Sequence, residues 1–132
     1  MKRSVLDSFA VLSFLFQEKG YEKVLNLLEW AAESNKTHLI TTVNWAEVRY
    51  IVERKRGPQE WSLARSKLLG LPIEIIDVDQ TLSELAGEIK AHNKMSLADC
   101  FAAALAKTKK MEIWTGDPEF RHVEGDIKIN WL

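Results

Sequence analysis

The residues of this sequence whose types and positions could do chemistry are four acids, Asp7, Glu47, Asp99 and Asp117. Asp99 is the most exacting of them. From Leu97 to Ala106 it is the only residue that is not apolar. A helix apolar around nearly its whole circumference is buried, and a carboxylate buried without a partner costs several kcal/mol or takes up a proton. Each acid also has a structural reading. Ser96 and Asp99 have the offset of a capping box, in which the acid reaches back to the backbone N–H of the cap residue, and Asn44 and Glu47 share that offset. Asp7 could cap the helix after it, and Asp117 precedes Pro118, a favoured first helical residue.

The elements that must position these acids follow from periodicity. Ser4 to Leu6 reads as a short buried strand. The apolar segment SFAVLSFLFQEKG then runs as a helix to a stop at Gly20, and a second helix spans Tyr21 to Glu33. HLIT, residues 38–41, is strand-like and leads into the helical VNWAEVRYIVERKRG, with Trp45, Val48, Ile51 and Val52 as its apolar stripe. Gly57-Pro58 ends that helix and permits another from Gln59 to Leu69. IEIID (73–77) is a third strand, Thr81 to His92 a helix, 96–109 the helix of Asp99, EIWT (112–115) a fourth strand and IKINW (127–131) a fifth at the sheet edge. Strands alternating with helices predict an α/β fold with a short, mainly parallel sheet flanked by helices. No repeat or linker interrupts it, and a single domain is expected over residues 1–132.

This architecture brings the acids together. A helix that follows a strand starts at that strand's C-terminal edge, which is where Asp7 and Glu47 fall. A helix that precedes a strand runs antiparallel to it, so the start of helix 96–109 lies over the end of strand 112–115, beside Asp117. Four carboxylates in one pocket repel one another unless a cation is present. Oxygen ligands without His or Cys point to Mg2+ or Mn2+, and such a site suits phosphodiester hydrolysis.

The same residues carry a resemblance. VLDSFAVLSFL with Asp7, WAEV with Glu47, MSLADCFAAALA with Asp99 and WTGDPEF with Thr115, Asp117 and Phe120 stand in the order and spacing of the PIN domain motifs. Over essentially the whole chain the sequence resembles the VapC-type toxins of type II toxin-antitoxin pairs. The resemblance implies a PIN-like three-layer fold and a Mg2+- or Mn2+-dependent endoribonuclease with Asp7, Glu47, Asp99 and Asp117 as acidic ligands. Ser8 and Thr115 match small hydroxyl positions beside the acids, which either orient carboxylates or water or only hydrogen-bond at a turn. The partners it implies are an RNA substrate, a cognate VapB-type antitoxin and a second copy in a homodimer. Residues 8–16 are a surface for antitoxin contacts or ordinary core. The non-enzymatic alternative is a catalytically idle PIN-like module that binds RNA or protein.

Other classes are disfavoured. Phe9 stands where a haloacid-dehalogenase-like phosphatase needs its second Asp, and no glycine-rich turn follows a strand as a dinucleotide binder requires. Cys100 is the only cysteine, and His38, His92 and His122 lack zinc-ligand spacing. Eighteen basic and nineteen acidic residues leave a net charge of -1, so bulk charge does not attract nucleic acid. Arg49, Arg54, Lys55 and Arg56, and Lys107, Lys109 and Lys110, read as solvated helix ends, and the five tryptophans as core or interface. Without a signal sequence or membrane span, a cytoplasmic protein is expected.

Overall fold

Val5 and its neighbours in Ser4–Leu6 form β1, a strand buried on both faces as central strands of parallel sheets are. The computed structural model describes residues 1–132 and contains five strands, six α-helices and a 3-10 turn. After β1 come α1 (Ser8–Phe16), α2 (Tyr21–Glu33), β2 (His38–Thr41), α3 (Thr42–Arg56) and α4 (Pro58–Leu69). Then follow β3 (Ile73–Ile76), α5 (Gln80–His92), α6 (Leu97–Lys109), β4 (Glu112–Thr115), the 3-10 turn Pro118–Val123 and β5 (Ile129–Trp131). The sheet has the order β3-β2-β1-β4-β5, and every pairing is parallel. The chain winds from β1 out to β3 and then jumps to β4 on the other side, so the strand order switches between β1 and β4. That crevice, at the C-terminal strand ends, is where open α/β sheets bind ligands.

Alternation along the strands divides the core into two. Val5 is in register with Leu39 and with Ile113, and all three face α5, α6 and the 3-10 turn. Leu6 and Ile40 point to the opposite face and pack with α1 to α4. The result is three layers, helices over sheet over helices. Helix α6 lies in close because its inward residues are small: Ala102, Ala103, Ala104 and Ala106 are all buried. Cys100 is a free, fully buried thiol in the same helix. Trp45 and Trp61 meet edge to face with ring centroids 5.4 Å apart, joining α3 to α4.

Two expected boundaries move. Helix α1 stops at Phe16, not at Gly20, because Gln17 takes a left-handed conformation (φ 53°) and its N–H closes the helix on Phe14 and Ser13. Gly20, at φ 92°, serves as the N-cap of α2. Helix α3 starts earlier than the Asn44 offset implied. Thr41 is its N-cap, with Oγ1 accepting from the Asn44 N–H at 3.0 Å, so β2 passes into α3 without a loop. No helix is long and apolar enough to cross a membrane.

Candidate metal centre

The β1–β4 pairing sets the first contact. Leu6 is in register with Trp114, which leaves Asp7 and Thr115 side by side as the two strands end. Asp7 caps α1 as expected, with Oδ1 accepting from the Ala10 N–H at 2.9 Å. Its other oxygen, Oδ2, accepts from the Thr115 hydroxyl. Thr115 Oγ1 in turn accepts from the Asp117 N–H at 2.9 Å. Asp117 caps the 3-10 turn, its Oδ1 taking the Glu119 N–H at 2.9 Å. One threonine therefore fixes two of the acids.

Helix α6 delivers the third. Ser96 is its N-cap, and its Oγ accepts from the Asp99 N–H at 3.2 Å. The reciprocal bond of a capping box is not made by Asp99. The Ser96 N–H instead donates to Oε1 of Glu119 at 3.0 Å. Asp99 is buried at 4% exposure, and its Oδ2 has no hydrogen-bond partner. Carboxylate oxygens of Asp99, Asp117 and Glu119 lie within 4.8 Å of one another.

Glu47 stands apart from this trio. It is half-buried on α3, and its Oε2 accepts from the Tyr50 hydroxyl at 3.4 Å. It is close enough to Asp7 for its charge to raise the Asp7 pKa. The Asn44 and Glu47 pair does not form a capping box, because Thr41 holds the cap and Asn44 already lies inside the helix. Asn44 is fully buried and ties three helices together: its Nδ2 donates to Ser8 Oγ at 3.1 Å and to the Ala98 carbonyl at 3.3 Å. Ser8, expected beside the acids, spends its hydroxyl on the Asn44 carbonyl at 3.3 Å. Both side-chain hydrogen bonds of Ser8 are with Asn44 of α3.

The electrostatics are those of a pocket short of positive charge. Burial, the largest cause, pushes Asp7 up to about 7, helped by repulsion from Asp117 and Glu47 and opposed by the Thr115 and Ala10 hydrogen bonds. Asp99 is pushed to about 9, first by burial, then by the neighbouring Asp117 carboxyl, with Asp7 and Glu119 raising it further. Without a cation the pocket keeps protons to neutral pH and above. A divalent cation is the other way to relieve such repulsion. The donors fit a hard one: all are oxygens, and Asp99 Oδ2 is an orphaned buried acceptor.

Sequence reasoning missed Glu119 and misassigned Asn44. Glu119 follows Asp117 by two residues on the same turn, and an acid next to a predicted cap was the signal available. Asn44 resembles a cap in sequence, and only the seamless junction of β2 and α3 shows that Thr41 takes that place.

A three-layer α/β chain with carboxylates gathered at the strand-order switch agrees with the comparison to known proteins. The sequence model of the PIN domain matches residues 4–126, and the chain belongs to the PIN domain family. Among solved structures it is similar to a chain of VapBC2 from Rickettsia felis, solved bound to a DNA fragment from its promoter, with 19% identity, 98% of each chain covered and a TM-score of 0.78. A chain of DNA-bound VapBC from Salmonella typhimurium gives 18% identity, 98% of each chain and 0.76. Mycobacterium tuberculosis VapC20, described as a Sarcin-Ricin loop cleaving toxin, gives 16% identity, 96% of this chain, 98% of that chain and 0.74. No curated protein matches the sequence.

Proposed function

We propose that this chain is the toxin of a type II toxin-antitoxin pair and acts as a Mg2+- or Mn2+-dependent endoribonuclease. The observation that carries the reading is Asp99 Oδ2, a buried carboxylate oxygen with no partner, in a pocket shared with Asp117 and Glu119. Membership of the PIN domain family and the fold shared with VapBC complexes support it.

In this reading Asp7, Asp99 and Asp117 are the principal ligands, with Glu47 joining from α3 directly or through water. A divalent metal held there supplies a water of lowered pKa and positive charge for the phosphate oxygens. The rest falls to the chain. Thr115 fixes one oxygen of Asp7 and the backbone of Asp117, which keeps the carboxylates from collapsing into other hydrogen bonds. Burial of Asp7 and Asp99 keeps their charges from being dissipated in water.

The partners in this reading are RNA, a second copy of the chain and a cognate antitoxin. A groove of about 480 Å³ along α1 and α3, lined by Phe9, Leu12, Phe16, Ile51, Lys19 and Lys55, suits an antitoxin segment with apolar side chains. The test is incubation of mixed tRNA, rRNA and mRNA with antitoxin-free protein under Mg2+, Mn2+ or EDTA, beside Asp7→Ala purified in parallel. Discrete fragments that need metal and vanish in the variant are expected. Intact RNA throughout, from folded protein, would make the acidic pocket a binding site only.

A further inference from the structure

We propose that Glu119 is a positioning residue that holds Asp99 in the metal site by occupying the Ser96 N–H; the inference rests on the metal-site reading given above. The first N–H groups of an α-helix have no partner inside the helix, and an acid three residues after a serine cap reaches back to the cap's own N–H. Ser96 and Asp99 satisfy half of that motif, since Ser96 Oγ accepts from the Asp99 N–H at 3.2 Å. Left to itself, the Asp99 carboxyl has the second bond of the capping box waiting at the Ser96 N–H. Taking it would turn the carboxylate away from Asp7 and Asp117.

Glu119 removes that option. Its Oε1 accepts the Ser96 N–H at 3.0 Å, across a separation of 23 residues. Its own N–H is held by Asp117 Oδ1 at 2.9 Å, and the fully buried Phe120 beside it pins the turn to the core. The competitor for the amide is therefore delivered by the same 3-10 turn that carries Asp117. One N–H is shared between two possible acceptors, and the structure gives it to Glu119. Asp99 Oδ2 consequently stays buried and unpartnered, at 4% residue exposure, among the acids. In this role the glutamate acts through Asp99.

The experiment compares the full chain with Glu119→Gln, Glu119→Ala and Glu119→Ala/Asp99→Ala. It reads hydrogen exchange of the Ser96 amide by NMR without metal, and the Mn2+ dissociation constant by water-proton relaxation. In Glu119→Ala the Ser96 amide is expected to stay protected, because Asp99 closes the capping box, and to lose protection in the double variant. Mn2+ binding to Glu119→Ala is expected to weaken about tenfold or more, while Glu119→Gln, which keeps an acceptor, stays close to the wild type. An unprotected Ser96 amide in Glu119→Ala, or an equal loss of Mn2+ affinity in Glu119→Gln, would overturn the proposal. Absence of Mn2+ binding by the wild-type chain would sink the metal reading instead, and the exchange data would still decide which acceptor holds Ser96.

Discussion

The Thr115 hydroxyl donates to Oδ2 of Asp7 across the seam between β4 and β1, and Thr115 Oγ1 itself accepts the Asp117 N–H. The hydroxyl bond favours the charged form of Asp7, opposing the burial that pushes this carboxyl up to about 7. Thr115→Val should therefore raise Asp7 further and weaken Mg2+ binding more at pH 7 than at pH 9, where the carboxylate ionises regardless. Thr115→Ser should restore it. Mg2+ titrations followed by melting temperature at the two pH values check this; an equal loss at both would assign Thr115 to backbone geometry alone.

Stability of the metal-free chain should fall as pH rises. Asp7 and Asp99 have folded pKa values of about 7 and about 9 against an ordinary 3.8, so the folded state binds more protons than the unfolded one between those limits. Their stabilising contribution is complete at acid pH and is lost as pH climbs through each folded value. His38 acts oppositely: burial lowers it below 6.5, so its contribution is present above 6.5 and is lost on acidification. Above pH 7 Asp99 is the remaining slope. Urea unfolding in EDTA should lose up to about 1.4 kcal/mol per pH unit between pH 7 and 9. Asp99→Asn should flatten that segment.

Asp99→Asn should also abolish cleavage, by about 100-fold or more, without unfolding the chain. Its backbone N–H can still donate to Ser96 Oγ, but an amide is a much poorer ligand for a hard cation. Circular dichroism and RNA cleavage on one preparation separate the two effects. An unfolded variant whose folded remainder cuts normally would make Asp99 structural.

Mg2+ should raise the melting temperature of the wild type and much less that of Asp7→Ala/Glu47→Ala. Binding to the folded state alone stabilises by about 2.7 kcal/mol when the metal is at 100 times its dissociation constant. Identical shifts in both proteins would argue against a carboxylate site.

Asn44→Ala should destabilise the chain by about 2–3 kcal/mol in urea unfolding, because it removes the buried acceptor of the Thr41 hydroxyl and the amide that bridges Ser8 Oγ to the Ala98 carbonyl. Glu47→Ala, on the half-buried face one turn on, should cost far less stability. Equal costs would mean that Asn44 is not the junction its hydrogen bonds describe.

Much of this arrangement is legible in the sequence. The alternation of strands and helices places the helix starts at one sheet edge, and Asp99 is visible because nothing polar surrounds it. The fifth strand, expected at the sheet edge, lies there beside β4. The misses share a physical cause. Glu119 gains its role from Ser96, 23 residues away, and no local period reports such a partner. Asn44 and Thr41 are both capping types, and the choice between them depends on where β2 stops pairing with β1 and β3. The early end of α1 at Gln17 rests on a non-glycine residue in a left-handed conformation, which glycine-based stop signals do not anticipate.

The position of β1 at the middle of the sheet also dictates when an acidic pocket can exist at all. Asp7 is made early, yet its hydroxyl partner is 108 residues further along, and β4 cannot pair with β1 until that stretch has emerged. The pairing of β1 with β4 is a non-local contact, which must close a long loop before it forms. A growing chain that ends before residue 115 holds Asp7, Glu47 and Asp99 without the seam that gathers them. Until β4 is made, the chain has no seam that holds Asp7 beside Thr115 and Asp117.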